Sequence, residues 1–373
     1  MAYLGENIPK LGFGLMRLPM KDKEIDVEQT KEMADLFLDS GFTYFDTAYG
    51  YFDGKSEETA KTAIVDRYPR ENFQLATKLP AWFPDVKTAD EAKQMFWTSL
   101  KRTGAEYFDF YLLHNIGATR GKYFDDYGIW DFVQELKQKG LVRHVGFSLH
   151  DRAEVLDKVL TKHPEMEFVQ LQLNYADWES GTVQSRLCYE TARKHNKPIV
   201  VMEPVKGGML ANPAPEVRAV FDKAGSGMSY PSWAIRFAAS LDGIITVLSG
   251  MSSLEQMKDN ISYMKEFRPL DEKEYGVILK AREAFAAIQS VPCTACNYCV
   301  SGCPKNIVIS YIFEMLNRET VYRDPMSAKF GYSWETRFGG KASDCIECGK
   351  CEEVCPQQIK VTELLKQAAA KYE

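Results

Sequence analysis

Two short stretches hold eight of the nine cysteines, CTACNYCVSGCP from Cys293 to Pro304 and CIECGKCEEVCP from Cys345 to Pro356. In each, the cysteines fall at spacings of three, three and four residues, and a proline closes the run. Only Cys188 stands apart. A secreted disulfide framework would spread its cysteines through the chain, so this crowding points to metal. Zinc accepts paired C-x2-C thiolates, yet it needs neither a third cysteine at this spacing nor a proline after the fourth in both runs. The spacing C-x2-C-x2-C-x3-C-P is that of thiolates holding iron-sulfur clusters.

A second set of chemistry-bearing residues is scattered through the first 270 positions. Asp46 follows TYF, Lys78 follows QLAT, His114 follows FYLL, Ser148 follows HVGF and Asn174 follows QLQL, so each closes an apolar run. The runs LGFGLM, TYFDT, FQLATK, FDFYLLH, VRHVGFS, FVQLQLN, PIVVME and GIITVLS read as strands, rich in β-branched and aromatic residues. A stretch of helical periodicity follows each: Val27 to Asp39, Glu57 to Arg67, Ala89 to Thr103, Tyr127 to Gln138, Arg152 to Lys162, Val183 to His195, Pro231 to Ser240 and Leu254 to Met264. Eight strand-helix units between Leu11 and Met264 predict an α/β fold, a (β/α)8 TIM barrel of parallel strands buried on both faces. A doubly wound open sheet is the alternative, but no G-x-G-x-x-G follows the first strand. In a barrel, polar residues at strand ends belong to the ligand-binding face.

The stretch FDTAYGYFDGKSEE, with LATK and YLLH, resembles the aldo/keto reductase family, and the likeness runs over about residues 3 to 266. The family motif puts its catalytic tyrosine five residues after the aspartate, which implies Tyr51 and leaves Tyr44 and Tyr49 as packing residues. The resemblance implies Asp46, Tyr51, Lys78 and His114 as the catalytic set and a carbonyl-alcohol interconversion with a nicotinamide cofactor. These side chains suit that chemistry. Hydride addition builds negative charge on oxygen, so the site needs a proton donor and a holder for the developing oxyanion. Tyr51 is then the general acid, Lys78 the cation that lowers its pKa, Asp46 the anchor of Lys78, and His114 a donor to the substrate oxygen.

The same resemblance implies the cofactor contacts. Ser148 matches a serine that holds the nicotinamide carboxamide, with Gln170 or Gln172, and Asn174, on the next strand; the asparagine that follows the serine in the family is Leu149 here. In VVMEPVKGGML, Met202 stands where the family stacks an aromatic ring, Pro204 and Lys206 follow, and Gly207 with Gly208 lets backbone approach the pyrophosphate. In LSGMSSLEQMKDN, Gly250, Ser252, Gln256 and Asn260 fall at the adenosine end. Neither Ser252 nor Gln256 is a cation to pair with an adenosine 2'-phosphate, which leaves NAD(H) open; Lys258 is the substitute cation, and the reading leans to NADP(H) in spite of that loss.

The cysteine runs resemble those of bacterial ferredoxins, in which the fourth cysteine of each run binds the other run's cluster. The resemblance implies two 4Fe-4S clusters, one on Cys293, Cys296, Cys299 and Cys355 and one on Cys345, Cys348, Cys351 and Cys303. The expected organisation is a barrel over residues 1–268, then a linker helix from Glu272 to Ile288 and a small ferredoxin-like domain within 269–373, in which IVISYIFEMLNRE and TELLKQAAAKYE are helical. Three roles for the clusters follow: a structural cap on the substrate mouth, a wire to a redox partner protein or flavin, or part of a nicotinamide-binding sensor. For a small carbonyl or alcohol substrate, Trp82, Phe83, Tyr51 and Trp178 offer an aromatic pocket, and Arg17, Arg120 and Lys122 offer cations for an acidic group. The formal charge of -6 argues against a nucleic-acid partner. With neither a secretory pattern in MAYLGENIPK nor a membrane-length apolar run, the expected location is cytoplasmic.

Overall fold

A computed structural model describes residues 3–181, 183–288, 290–293, 297–355 and 357–373. The chain divides into two compact units, Met1–Gly207 with Pro231–Asp271, and Gly208–Tyr230 with Glu272–Glu373.

In the first unit eight parallel strands close into a barrel: β1 Leu11–Gly14, β2 Tyr44–Asp46, β3 Gln74–Leu79, β4 Phe108–Ile116, β5 Val142–Leu149, β6 Phe168–Gln172, β7 Ile199–Met202 and β8 Ile244–Ser249. Each strand pairs with its neighbours in sequence, and β8 returns to β1 with Leu11 beside Val247. The strands carry no polar face because both faces are covered; every residue of β1, β2 and β8 is buried. Side chains alternate along each strand. Tyr44, Ala76, Phe110, Leu112, Phe168, Val200 and Ile245 form a buried cluster of their own, the barrel interior. Phe13, Phe45, Leu75, Tyr111, Phe147 and Val169 belong instead to the core shared with the helices. Two residues beyond the interior layer, the same strand faces present Asp46, Lys78, His114, Gln170 and Met202. A two-residue period therefore sets a layer that is polar except for Met202 directly on an apolar one.

The opposite end of the barrel is closed. Leu4 and Ile8 pack against the interior cluster, and the Tyr3 hydroxyl and Lys10 ammonium both donate to the Ile244 carbonyl, at 3.0 and 2.5 Å. The interior is full enough that Gly146 has no space for a side chain: a Cβ there would stand 2.4 Å from the Phe168 carbonyl oxygen. Gly146→Ala is expected to destabilise the protein by about 1–3 kcal/mol, the cost of overpacking a filled core, seen as a lower urea midpoint. An unchanged midpoint would mean that β5 and β6 can part without loss.

Three helices have the limits that the sequence predicts, Val27–Asp39, Ala89–Thr103 and Leu254–Met264. All three have side-chain caps: Asp26 accepts from the Gln29 amide, Thr88 and Glu91 form a reciprocal capping box, and Ser253 accepts from the Gln256 amide. The helix expected over Glu57 to Arg67 differs. It starts at Lys55, passes into a π-helical turn over Lys61–Val65, and is preceded by a 3-10 turn, Tyr51–Gly54. Within that turn Phe52 and Asp53 are left-handed, at φ 50° and 54°. The helix expected from Tyr127 is Ile129–Gln138, and a separate short helix, Gly121–Asp126, precedes it.

Helices dominate the second unit: Pro215–Ala224, Glu272–Ala287, Ile309–Tyr322, Pro325–Glu335 and Val361–Tyr372, with one isolated bridge among the described residues, between Ile307 and Gly340. Ile309, Ile312, Phe313, Leu316, Val361 and Leu365 are among its buried core. The last helix packs back on Ile309–Tyr322, where the Tyr372 hydroxyl donates to Glu319 at 2.8 Å and Lys371 pairs with the same carboxylate at 3.0 Å. Among the described residues no helix is long and apolar enough to cross a membrane.

Candidate active site

Strand ends bring Asp46, Lys78, Tyr51 and His114 together. Lys78, 1% exposed, donates to Asp46 Oδ1 at 2.5 Å, to the Thr47 carbonyl at 2.8 Å and to the Tyr51 hydroxyl at 3.3 Å. Its ammonium also lies 4.8 Å from the centre of the Tyr51 ring. The Tyr51 and His114 rings meet edge to face, 6.0 Å between centres. Tyr51 reaches this position because the 3-10 turn after β2 folds it back toward the strand ends. The alternative tyrosines pack elsewhere: Tyr44 is buried against Phe110, and the Tyr49 ring lies over Arg102.

Burial governs the ionisation of all four. It pushes the Asp46 carboxyl up from the usual carboxylate range, with Lys78 pulling the other way. Burial alone would drag the Lys78 ammonium down, but Asp46 and Tyr51 face it and it ends above its ordinary value. The sequence reading has Lys78 lowering the Tyr51 phenol. Burial outweighs that pull, and the phenol ends above its ordinary value. His114 is held well below the normal histidine range by burial and then by Lys78, His150 and Arg120. It is therefore neutral, with one donor and one acceptor nitrogen. Such a site has a protonated phenol and a neutral imidazole beside a buried cation.

The residues read as cofactor contacts fall into four groups. Ser148 and Gln170 face the catalytic set. The Ser148 hydroxyl accepts from the Asn115 amide at 2.8 Å, and Gln170 Nε2 lies 3.5 Å from Asp46 Oδ2. The Gln170 amide oxygen is buried without a partner among the described residues, which fits a site awaiting an amide donor such as the nicotinamide carboxamide. Asn174 and Lys206 instead converge on Asp177, at 2.8 and 2.6 Å, and the Asp177 amide returns a bond to Asn174 Oδ1. Asp177 escaped the sequence reading; its signal is the spacing N-x-x-D that closes such a turn. Met202 ends β7 and is partly buried, Pro204 is buried in the turn that follows, and Gly208 lies in the second unit. After β8, Ser252 donates to the Arg17 carbonyl at 2.7 Å, Gln256 accepts from the Ser252 amide at 2.8 Å, and Asn260 donates to Ser249 at 3.1 Å and accepts from Tyr263.

Of the residues read as substrate contacts, Trp82 is fixed by its indole, which donates to the His114 carbonyl at 2.7 Å, and the Arg120 guanidinium lies 4.5 Å over its ring. Phe83 packs edge-on to Trp82. Trp178 packs on Phe237 and Tyr189, and Lys122 lies over Tyr123. Arg17 lies against Gly207 and Gly250, in the turns after β7 and β8. His150, at the end of β5, is a second imidazole that the sequence reading passed over; burial depresses it, with Glu203 acting in the opposite sense.

In the second unit, Cys303, Cys345, Cys348 and Cys351 line one cavity of about 330 Å3, part of it open to solvent. Ile307, Ile309, Ile346 and Leu365 supply apolar walls, and Lys305 and Lys350 bring positive charge. The Glu347 amide donates to Cys345 Sγ at 3.4 Å. Four thiols around one cavity, with cations and an amide beside them, fit an anionic iron-sulfur cluster. Cys293, Cys299 and Cys355 are partly buried against the same core, and Cys296 lies outside the described residues.

Comparisons with known proteins agree with the two-part organisation of the chain. The model of the aldo/keto reductase family matches residues 10–283, and that of a 4Fe-4S dicluster domain matches residues 292–359. An aldo-keto reductase of Mycolicibacterium vanbaalenii is 27% identical over 259 residues, covering 68% of this chain and 82% of the relative. Another from Mycobacterium sp. is 30% identical over 156 residues, and there the match covers 41% of this chain and 50% of the relative. The holo form of an aldo-keto reductase from Bacillus halodurans superposes with a TM-score of 0.60 at 25% identity, covering 74% of this chain and 93% of that one.

Proposed function

The chain belongs to the aldo/keto reductase family of oxidoreductases and carries a C-terminal 4Fe-4S dicluster domain; on that premise we propose that it interconverts small carbonyl compounds and alcohols with NADP(H) or NAD(H), Tyr51 giving and taking the proton. The observation that carries the proposal is the Tyr51 hydroxyl 3.3 Å from an ammonium that is itself anchored in a buried ion pair. The bound nicotinamide supplies the hydride. The chain does the rest: Tyr51 and the neutral His114 donate to the substrate oxygen, and the phenol proton moves to that oxygen as the new C–H bond forms. Lys78 then faces the phenolate left behind, and Asp46 and the Thr47 carbonyl keep it in place. Trp82 and Phe83 wall the substrate side, and Arg120 over Trp82 suits a substrate with an anionic group.

We assign two 4Fe-4S clusters to the ligand sets Cys293, Cys296, Cys299, Cys355 and Cys345, Cys348, Cys351, Cys303, and give them a structural role. Supporting that role, the catalytic set is sufficient for direct hydride chemistry without a one-electron carrier.

Consumption of NADPH and NADH by a panel of small aldehydes and ketones, followed by absorbance with the clusters oxidised and again after their reduction, tests the proposal. The expected result is carbonyl-dependent consumption at one rate in both states. Turnover that appears only with reduced clusters would move the chemistry onto them.

A further inference from the structure

We infer that Arg102 is a positioning residue for the proton transfer: its guanidinium holds the chain on both sides of Tyr51 and so sets where the phenol stands relative to Lys78. The inference rests on the reading of Tyr51 as proton donor and deepens it, by naming the group away from the strand ends that aims the donor.

The need for such support lies in the turn itself. Tyr51 opens a 3-10 turn in which Phe52 and Asp53 are left-handed, and Gly54 follows at φ +93°. Three consecutive residues in that region, two of them with side chains, persist only where the surroundings over-determine them. On the strand side, the Tyr49 amide donates to the Lys78 carbonyl at 3.3 Å. From the ring of helices the support is Arg102, in the last turn of Ala89–Thr103. Its Nη1 donates to the Tyr49 carbonyl at 3.0 Å, and the guanidinium lies 4.4 Å from the centre of the Tyr49 ring. Beyond Tyr51 the same group lies against Gly54, where a Cβ would stand 2.5 Å from Cζ and 2.8 Å from Nη1 and Nη2. Nη1 is also 3.4 Å from Glu57 Oε2. One planar group therefore meets positions 49, 54 and 57, and Tyr51 lies within that span.

Glu57 ties this hold to the strand of the ammonium. Fully buried, it accepts through Oε1 from the Thr77 hydroxyl at 2.7 Å, and Thr77 immediately precedes Lys78 on β3. Its neighbour Ser56, also fully buried, bonds the Thr47 hydroxyl at 2.7 Å and donates to the Leu15 carbonyl at 2.9 Å. The Thr47 carbonyl is in turn an acceptor of Lys78. Ser56 and Glu57 thus brace the residue after Asp46 and the residue before Lys78, and Arg102 joins that brace to the turn of Tyr51. Burying a carboxylate costs desolvation that its ion pair only about offsets, so stability alone does not account for the pair. A guanidinium suits the task because its rigid fork holds a carbonyl and a carboxylate at fixed angles at once.

The test is a double-variant cycle on the full cluster-loaded protein with the aldehyde or ketone of the panel that it reduces fastest: wild type, Arg102→Met, Tyr51→Phe and the two combined. Arg102→Met is expected to lower kcat about 10- to 100-fold, the cost of a misplacement near 1 Å at a reacting group. Dissociation constants of NADPH and NADH, read by fluorescence titration, should stay at the wild-type values. In the Tyr51→Phe background there is no phenol proton to place, so the same substitution should leave kcat nearly unchanged. Because Arg102→Met leaves Glu57 without its cation, Arg102→Lys goes through the same cycle. It keeps the charge and loses the fork, and should show a smaller loss of kcat that again vanishes beside Tyr51→Phe. Wild-type kcat in both Arg102 variants, an equal fall in both backgrounds, or a fall matched by lost nicotinamide binding would overturn the inference. A Tyr51→Phe protein that turns over like wild type, or a wild type that reduces no carbonyl of the panel, would instead reject the function proposed above.

Discussion

Tyr51→Phe is expected to lower kcat for carbonyl reduction by about 100- to 10,000-fold, the usual worth of a positioned general acid, and to leave nicotinamide binding close to wild type. The substitution removes one oxygen and little else. The ring remains for Lys78 to face, and the ammonium keeps Asp46 and the Thr47 carbonyl as acceptors. The pH dependence gives a second readout. Burial holds the phenol above its ordinary value against the pull of Lys78, so the proton stays on throughout the neutral range. Reduction should therefore run at a constant rate through the neutral range and fall only at a pH above the ordinary phenol value. Alcohol oxidation needs the phenolate as base, so it should climb over the same range and level off only above it. Both dependences should disappear in the Phe variant. Wild-type turnover in that variant, or oxidation that is greatest near neutrality in the native protein, would take Tyr51 out of the proton's path.

Cys303→Ala should remove the cluster whose other three ligands lie more than forty positions later in the chain, roughly half of the eight irons that two 4Fe-4S clusters hold. The shared cavity is the reason: Cys303 lines it with Cys345, Cys348 and Cys351. A double-variant comparison identifies the partners without assigning any spectrum. Cys303→Ala combined with Cys351→Ala should lose no more iron than either alone, because both strike one cluster, whereas Cys303→Ala combined with Cys293→Ala should lose nearly all of it. The reverse pattern, with 303 and 293 behaving as one site, would mean that each run holds its own cluster.

The barrel was legible because its signal is redundant: eight apolar runs, each followed by helical periodicity, leave few ways to bury both strand faces. Helix limits were legible where a cap marks them, as Thr88 and Glu91 do before Ala89–Thr103. Pro325–Glu335 was not read as a helix; its signs, Asp324 as cap and a proline in the first turn, lie between two cysteine runs that dominate the stretch. Pro215–Ala224 was missed despite the same proline signal, and it groups with the second unit instead of the barrel. For the site, strand ends and one motif were enough to bring Asp46, Tyr51, Lys78 and His114 into one neighbourhood. The ionisation of Tyr51 was not legible, because it depends on how completely the surrounding walls exclude water. Nor was the commitment of Lys206 and Asn174 to Asp177, since a sequence shows which groups can bind a ligand but not which are already taken.

The bond from the Trp82 indole to the His114 carbonyl has an evolutionary consequence. On the function proposed above, the aromatic wall of the substrate pocket and the backbone that carries the catalytic imidazole are one mechanical piece, with the Arg120 guanidinium 4.5 Å from the centre of the Trp82 ring. Even a phenylalanine at position 82 would leave the His114 carbonyl without its indole donor, and any smaller residue that widens the pocket would also loosen the imidazole. Substrate range and catalytic rate cannot drift separately at this position. Lineages that broaden their substrates are more free to do so through Phe83, whose ring packs on this pair without a hydrogen bond to the catalytic backbone.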